Sequence, residues 1–266
     1  MALLAKLALG IAALYAAVVV LMAVGQRRLL YHPPPAAPTP AEVAARDLEP
    51  WGEHWVRRAP DARGTAVVFH GNAGGAADRT YLADALGARG LTVVLVEYPG
   101  YAGREGDLGE ASLVADGVAV LQDAAEAFGG PVTVWGESLG AGVAAAVLAQ
   151  THVPVSGAVL ITPWATLPDL AAGHYPWLPV RALLRDRYDS VAHLRAWGGP
   201  VGIAIAGRDE VIPPHHAERL ARAVGATVWR FPEAGHNTWP ARPDAPWWDA
   251  AVALALGGTT ASAGGA

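Results

Sequence analysis

One pentapeptide constrains this chain more than any other feature. Gly136-Glu137-Ser138-Leu139-Gly140 follows a short apolar run, Val132 to Trp135, and opens the Ala-rich stretch Ala141 to Ala149. A strand that turns sharply into a helix around a serine needs glycines two before and two after it, because only there can backbone pass against backbone. The serine is then held at a strained turn, clear of the sheet. The helix that starts beside it aims N–H groups and the positive end of its dipole at whatever reacts there. Ser138 is the candidate nucleophile.

The surrounding chain has the rhythm of a parallel sheet. Thr65 to Phe69, Leu91 to Val96, Val132 to Trp135, Ala158 to Thr162, Val201 to Ala206 and Thr227 to Phe231 are apolar on both sides of the pleat. Such strands are covered by helices on both faces. Helical spacing fills the intervals at Ala76 to Arg89, Leu108 to Phe128, Leu139 to Gln150, His215 to Val224 and Trp247 to Leu256. The alternation predicts an α/β domain, a mostly parallel doubly wound sheet over residues 51–256, with Trp51 to Arg58 as an antiparallel hairpin ahead of it.

A serine hydroxyl needs a base to become a nucleophile. In doubly wound sheets built around such a turn, acid and base follow the serine in chain order. Asp209 comes three residues after the strand ending at Ala206, and His236 lies on the loop after the strand ending at Phe231. Both loops leave the carboxyl edge of the sheet, where Ser138 also emerges. His236 is the candidate base and Asp209 the acid that orients it. Glu210 competes with Asp209, and the pair His215-His216 competes with His236 but sits in a helical stretch with charged neighbours, which reads as a solvated face. His152, His174 and His193 read as surface or packing residues. No histidine or carboxylate grouping has metal-ligand spacing, so no metal and no cofactor is expected.

After Phe69 comes the loop His70-Gly71-Asn72-Ala73-Gly74-Gly75. A loop at this place donates one backbone N–H to a developing oxyanion, and the residue after the nucleophile donates the other, which nominates Asn72 and Leu139. The glycines do not have phosphate-loop spacing. Tyr98 and Tyr101, at the end of the next strand, read as turn-packing aromatics.

The first thirty residues are of another kind. Leu7 to Gly25 is uncharged, preceded by Lys6 and followed by Arg27 and Arg28. A helix of that length reaches about 28 Å, close to the hydrocarbon thickness of a bilayer. Residues 1–28 are therefore expected to be a single-pass membrane anchor. Ala23-Val24-Gly25 leaves open a cleaved leader, although the run exceeds the usual apolar length for one. The flanking charges do not decide the side on which the domain lies. The Pro-rich stretch within 29–50 predicts a semi-rigid spacer, and Gly257 to Ala266 a disordered tail. The 266 residues carry a net charge of −5 and no basic run, which argues against nucleic acid as a partner. The absence of cysteine excludes disulfides and thiolate chemistry.

Taken together, the apolar N-terminus, Leu30-Tyr31-His32-Pro33, His70-Gly71-Asn72-Ala73-Gly74, Tyr98-Pro99-Gly100-Tyr101, Gly136-Glu137-Ser138-Leu139-Gly140, Thr162-Pro163-Trp164, Arg187-Tyr188-Asp189-Ser190 and Gly235-His236-Asn237 occur in register. This pattern, which covers nearly the whole chain, resembles the bud-emergence-type, membrane-anchored α/β hydrolases of the serine-aminopeptidase-like branch. The resemblance implies an α/β-hydrolase fold, an N-terminal anchor, Ser138, Asp209 and His236 as a triad, and cofactor-free hydrolysis of an ester, thioester or amide. Such proteins often carry an acidic residue soon after the His-Asn pair; here Thr238-Trp239 follows.

The 35 or so residues from Pro163 to Trp197 are too long for a plain connection and are of the kind used as a cap. Trp164 and Tyr175 in this insert, with Trp239, are the candidate substrate-binding aromatics, suited to a small-molecule acyl substrate. Packing of the insert's side chains onto the body is the competing reading. Arg181, Arg185 and Arg187 are either a carboxylate site or solvated. The expected activity is that of a membrane-anchored serine hydrolase acting on carboxylic esters. An amidase or aminopeptidase, and a catalytically silent scaffold of the same fold, are the alternatives.

Overall fold

The computed structural model of the chain describes residues 1–258. The expected tail therefore lies almost entirely outside the described residues. Eight strands form one sheet in the order β1-β2-β4-β3-β5-β6-β7-β8. They are β1 (Glu49–Trp51), β2 (His54–Arg57), β3 (Gly64–Phe69), β4 (Leu91–Val96), β5 (Val132–Glu137), β6 (Val155–Ile161), β7 (Val201–Ala206) and β8 (Thr227–Phe231). The hairpin β1–β2 joins β4 antiparallel, and every other pairing is parallel.

The continuous apolar runs have the cause expected of them. Every residue of β3, β4 and β7 is buried, because helices cover both faces. Alternate side chains feed two cores. Val67 and Phe69 point to the face covered by α4 (Glu110–Phe128), α5 (Leu139–Gln150) and α9 (Pro214–Val224). Ala66 and Val68 point to the face covered by α3 (Thr80–Gly87) and α10 (Trp247–Ala255). The helical stretch read at Ala76 to Arg89 is broken into a 3-10 turn, Ala76–Asp78, and α3, with Arg79 between them in a non-helical conformation.

The N-terminal helix, α1, spans Ala2–Leu30, longer than the uncharged run. Its 29 residues extend about 43 Å. The helix ends before the prolines, as their missing N–H groups require. The segment beyond it is not a free spacer. Tyr31 is buried, the His32 N–H donates to the Asn72 carbonyl, and α2 (Pro40–Ala45) buries Val43 against the body, followed by Leu48. A proline run marks where a helix stops but says nothing about what the chain docks on next; Tyr31, Val43 and Leu48 were the apolar anchors within it.

The long insert divides in two. α6 (Leu167–His174) and α7 (Val180–Leu183) lie over the carboxyl edge of the sheet, next to α1. α8 (Ser190–Trp197) buries Ser190 and Leu194 and packs on α5 and α9, so it belongs to the body and not to the cap.

Candidate active site

Ser138 sits at φ 53°, ψ −115° between β5 and α5. A non-glycine residue held there costs about 1–3 kcal/mol, which the surrounding fold must over-determine. Two glycines make the turn possible. A Cβ at Gly136 would lie 2.5 Å from the Gly140 carbonyl oxygen, and one at Gly140 would collide with the Phe69 carbonyl. The Ser138 N–H donates to the Ile161 carbonyl at 2.9 Å. Beside it, the Glu137 carboxylate accepts from Tyr81 Oη at 2.7 Å and pairs with Arg79 at 3.1 Å, pinning the elbow to the loop after β3.

The three residues expected to meet do so. His236 Nε2 stands 3.0 Å from Ser138 Oγ, and His236 Nδ1 stands 2.7 Å from Asp209 Oδ2. Asp209 is buried, and its Oδ1 accepts from the N–H groups of Val211 and Ile212 at 2.9 and 2.7 Å. Each loop follows a parallel strand at the carboxyl edge: β5, β7 and β8. Glu210 is exposed.

The rival histidines are elsewhere, but not as a solvated pair. His215 is exposed, while His216 is buried on α9 and burial holds its imidazole down at about 4. His174 Nε2–H donates to the Val211 carbonyl, 2.9 Å away, and the ring lines the cavity next to the serine.

The loop after β3 is tied down by the tyrosines of the next turn. Tyr98 Oη donates to the His70 carbonyl at 2.7 Å and Tyr101 Oη to the Asn72 carbonyl at 2.8 Å. Both rings are buried, so the turn-packing reading holds. Asn72 Nδ2 donates to the Leu30 carbonyl at the end of α1. Leu139 opens α5, so its N–H is one of the four that helix geometry leaves without an intrahelical partner.

A cavity of about 360 Å³ lies against Ser138, Asn72 and Leu139. Trp164, buried, and Tyr175, partly exposed, line it. Trp239 does not. It is buried on the opposite face of the sheet, its ring centroid 6.0 Å from those of both Trp247 and Trp248. Its place two residues beyond His236-Asn237 suggested a pocket wall, yet the loop turns there and drops the indole into the α10 core. The cavity's least expected lining comes from α1: Val19, Met22, Ala23 and Gln26. Within the uncharged run those residues read as anchor alone, and no local pattern signals that one flank of the helix closes a pocket.

Comparison with known proteins agrees with this architecture. Residues 60–188 match the serine aminopeptidase S33 family of hydrolases. An uncharacterized protein of Mycobacterium tuberculosis is 36% identical over 230 residues, covering 80% of each chain. The Bem46 protein of Schizosaccharomyces pombe is 26% identical over 188 residues, covering 67% of this chain and 63% of its own. The lysophosphatidylserine lipase ABHD12 of Danio rerio is 26% identical over 199 residues, and the match spans 51% of that protein. Among solved structures, an esterase of Pyrococcus furiosus superposes with a TM-score of 0.65 over 85% of this chain and 97% of its own, at 13% identity, a likeness of fold. The chain is an α/β hydrolase. It belongs to the serine-aminopeptidase-like family whose members include Bem46 and ABHD12.

Proposed function

We propose that this chain is a membrane-anchored serine hydrolase that cleaves carboxylic esters through an acyl-enzyme. The observation that carries the reading is the hydrogen-bonded row from Asp209 through His236 to Ser138. With Nδ1–H donating to Asp209, the imidazole presents an unprotonated Nε2 to the serine hydroxyl. His236 takes the Oγ proton as Oγ attacks the carbonyl carbon, then delivers it to the departing alcohol. The N–H groups of Leu139 and Asn72 receive the charge that develops on the carbonyl oxygen, each worth roughly 3 kcal/mol in the barrier. Water then attacks the acyl-enzyme with His236 again acting as base.

The lining favours an ester over a peptide amine terminus. Its polar members are Gln26, Asn72, Ser138, His174 and Tyr175, and none is a carboxylate to pair with an ammonium group. An apolar cavity of this kind suits an acyl chain. The lysophospholipid lipase among the relatives points to the same bond type. For the anchor, α1 is long and apolar enough to cross a bilayer, and its apolar surface is exposed along the described chain.

The test is fluorophosphonate labelling joined to hydrolysis of p-nitrophenyl esters of graded chain length. Ser138→Ala is expected to abolish both. Asp209→Asn, whose side-chain oxygen can still accept from Val211 and Ile212, is expected to lower kcat by a factor on the order of 10⁴ by favouring the wrong imidazole tautomer. Equal labelling of native protein and Ser138→Ala would remove the serine from the mechanism. Fractionation before and after deletion of residues 1–28 tests the anchor.

A further inference from the structure

Among the described residues, the large hydrophobic side chains exposed outside α1 and the Met1 that precedes it are four: Tyr175, Trp177, Leu183 and Val211. They are not scattered. Tyr175, Leu183 and Val211 also line the cavity that holds Ser138, so their exposed edges form its rim. Trp177, the most exposed of them, stands beside the rim, with its backbone carbonyl accepting from Tyr15 Oη of α1 at 2.9 Å. Isolated exposed hydrophobics are ordinary, but a cluster confined to the mouth of one cavity marks a surface that meets something apolar.

The registration of α1 against the cap identifies what it meets. Tyr15 lies at the middle of the uncharged run Leu7 to Gly25. Eleven residues on, about 17 Å along the axis, Gln26 Nε2 donates to the Leu183 carbonyl and Gln26 Oε1 accepts from the Arg185 N–H. One residue further, Arg27 pairs with the buried carboxylate of Asp186. A helix that crosses a bilayer with its apolar run in the hydrocarbon layer therefore carries the Tyr175–Leu183 segment down with it. Arg28, next to Arg27 in the chain, and Arg185, whose N–H donates to Gln26, stand at the level of a polar headgroup layer. Arg181, inside the carried segment, is paired with Asp169 at 3.1 Å, so that charge enters neutralised. An arrangement that kept the cap in water would have to break the Tyr15, Gln26 and Arg27 contacts together.

We propose that the mouth of the cavity opens into the lipid phase of the membrane, with α1 as one wall of the acyl site, so that substrate enters sideways from the bilayer. This rests on the ester-hydrolase reading for the nature of the substrate, which would be an amphiphile whose acyl chain already lies in the membrane. Immersion itself rests on the anchor reading of α1 and on its contacts with the cap. The anchor and the binding site are then one object: Val19, Met22 and Ala23 face the chain, while the opposite side of the same helix faces lipid.

The chain has no cysteine, so a single introduced one reports its own depth. Full-length Trp177→Cys, carrying a nitroxide and reconstituted in phosphatidylcholine–phosphatidylglycerol vesicles, is expected to collide more with oxygen than with a water-soluble nickel chelate. Asp61→Cys, exposed on the loop before β3 at the far edge of the sheet, is expected to do the reverse. A label at 177 as open to the chelate as one at 61 overturns the proposal. The second arm is kinetic. Trp177 is outside the cavity lining, so Trp177→Glu should hydrolyse p-nitrophenyl acetate in solution within twofold of the native protein. It should lose at least tenfold on p-nitrophenyl palmitate dispersed in the same vesicles. Parallel loss on both esters, or no loss on either, overturns entry from lipid. Native protein that cleaves neither ester overturns the ester-hydrolase reading instead, while a lipid-facing label at 177 would still support immersion.

Discussion

Arg27, in the last turn of the N-terminal helix, grips Asp186 of the cap with two hydrogen bonds, 3.0 and 2.9 Å long, across 159 residues of sequence. Asp186 is almost fully buried and takes two further donors, Tyr31 Oη at 3.1 Å and the Glu110 N–H at 3.1 Å. Burial pushes the Tyr31 hydroxyl well up from its ordinary range, so it remains a donor at any working pH. One carboxylate thus joins α1, the cap and the start of α4.

Asp186→Ala leaves those donors facing one another without an acceptor. The expected cost is about 3 kcal/mol, a fall in Tm of roughly 6–12 °C at about 2–4 °C per kcal/mol for a domain of this size. Arg27→Met leaves the Asp186 carboxylate, only 5% exposed, buried without its counterion, and should cost at least as much. Thermal melts of the three proteins in one detergent check the order; equal melting of native protein and Asp186→Ala would refute it.

Gly140→Ala drives a methyl group into the backbone of Phe69 and His70. Neither strand nor helix can yield there, so a loss of about 3 kcal/mol or more is expected, with poor recovery of folded protein. Gly52→Ala is the comparison. Its Cβ would meet open space, and only the positive φ of 60° resists it, at about 1–2 kcal/mol. Denaturant midpoints of the two variants should differ in that direction.

His216 sets a slope in stability against pH. Its folded pKa is held near 4, below the ordinary 6.5, chiefly by burial and then by His215 and Arg219. The unfolded chain therefore takes up a proton that the folded one refuses. The stabilisation is complete above about pH 6.5 and is lost as pH falls toward 4. His216→Leu should flatten the dependence of Tm on pH across that window. An unchanged slope would show that other groups cause it.

Trp239→Ala tests the corrected placement of that residue. Packed against Trp247 and Trp248, the indole supports α10 and not the cavity. A loss of about 3–5 kcal/mol is expected, while the preference among ester chain lengths stays as in the native protein. Tyr175→Ala, at the cavity rim, should do the opposite: little change in Tm and an altered chain-length profile. A changed profile in Trp239→Ala would return it to the pocket wall.

Ser138, Asp209 and His236 were legible before any coordinates because each is announced by its own short context: an apolar strand, then a loop at the strand's carboxyl end. Of the two adjacent acids, only Asp209 is buried against His236. Trp239 was misplaced because a residue's distance along the chain from a catalytic loop does not say to which face of the sheet its side chain turns. The spacer reading failed at Tyr31, Val43 and Leu48 because proline describes local backbone and not docking.

Local rules therefore determined the elements of this protein: which runs extend, which coil, where the strained serine turn falls and that α1 can cross a membrane. These follow from period, glycine placement and apolar length, all properties of neighbouring residues. Tertiary structure alone decided that α1 lies against the cap, that Arg27 and Asp186 join them, and that Val19, Met22 and Ala23 share a cavity with Ser138. Those are encounters between segments more than a hundred residues apart. They are selected by burial and hydrogen bonding over the whole fold, and no short stretch of sequence encodes them.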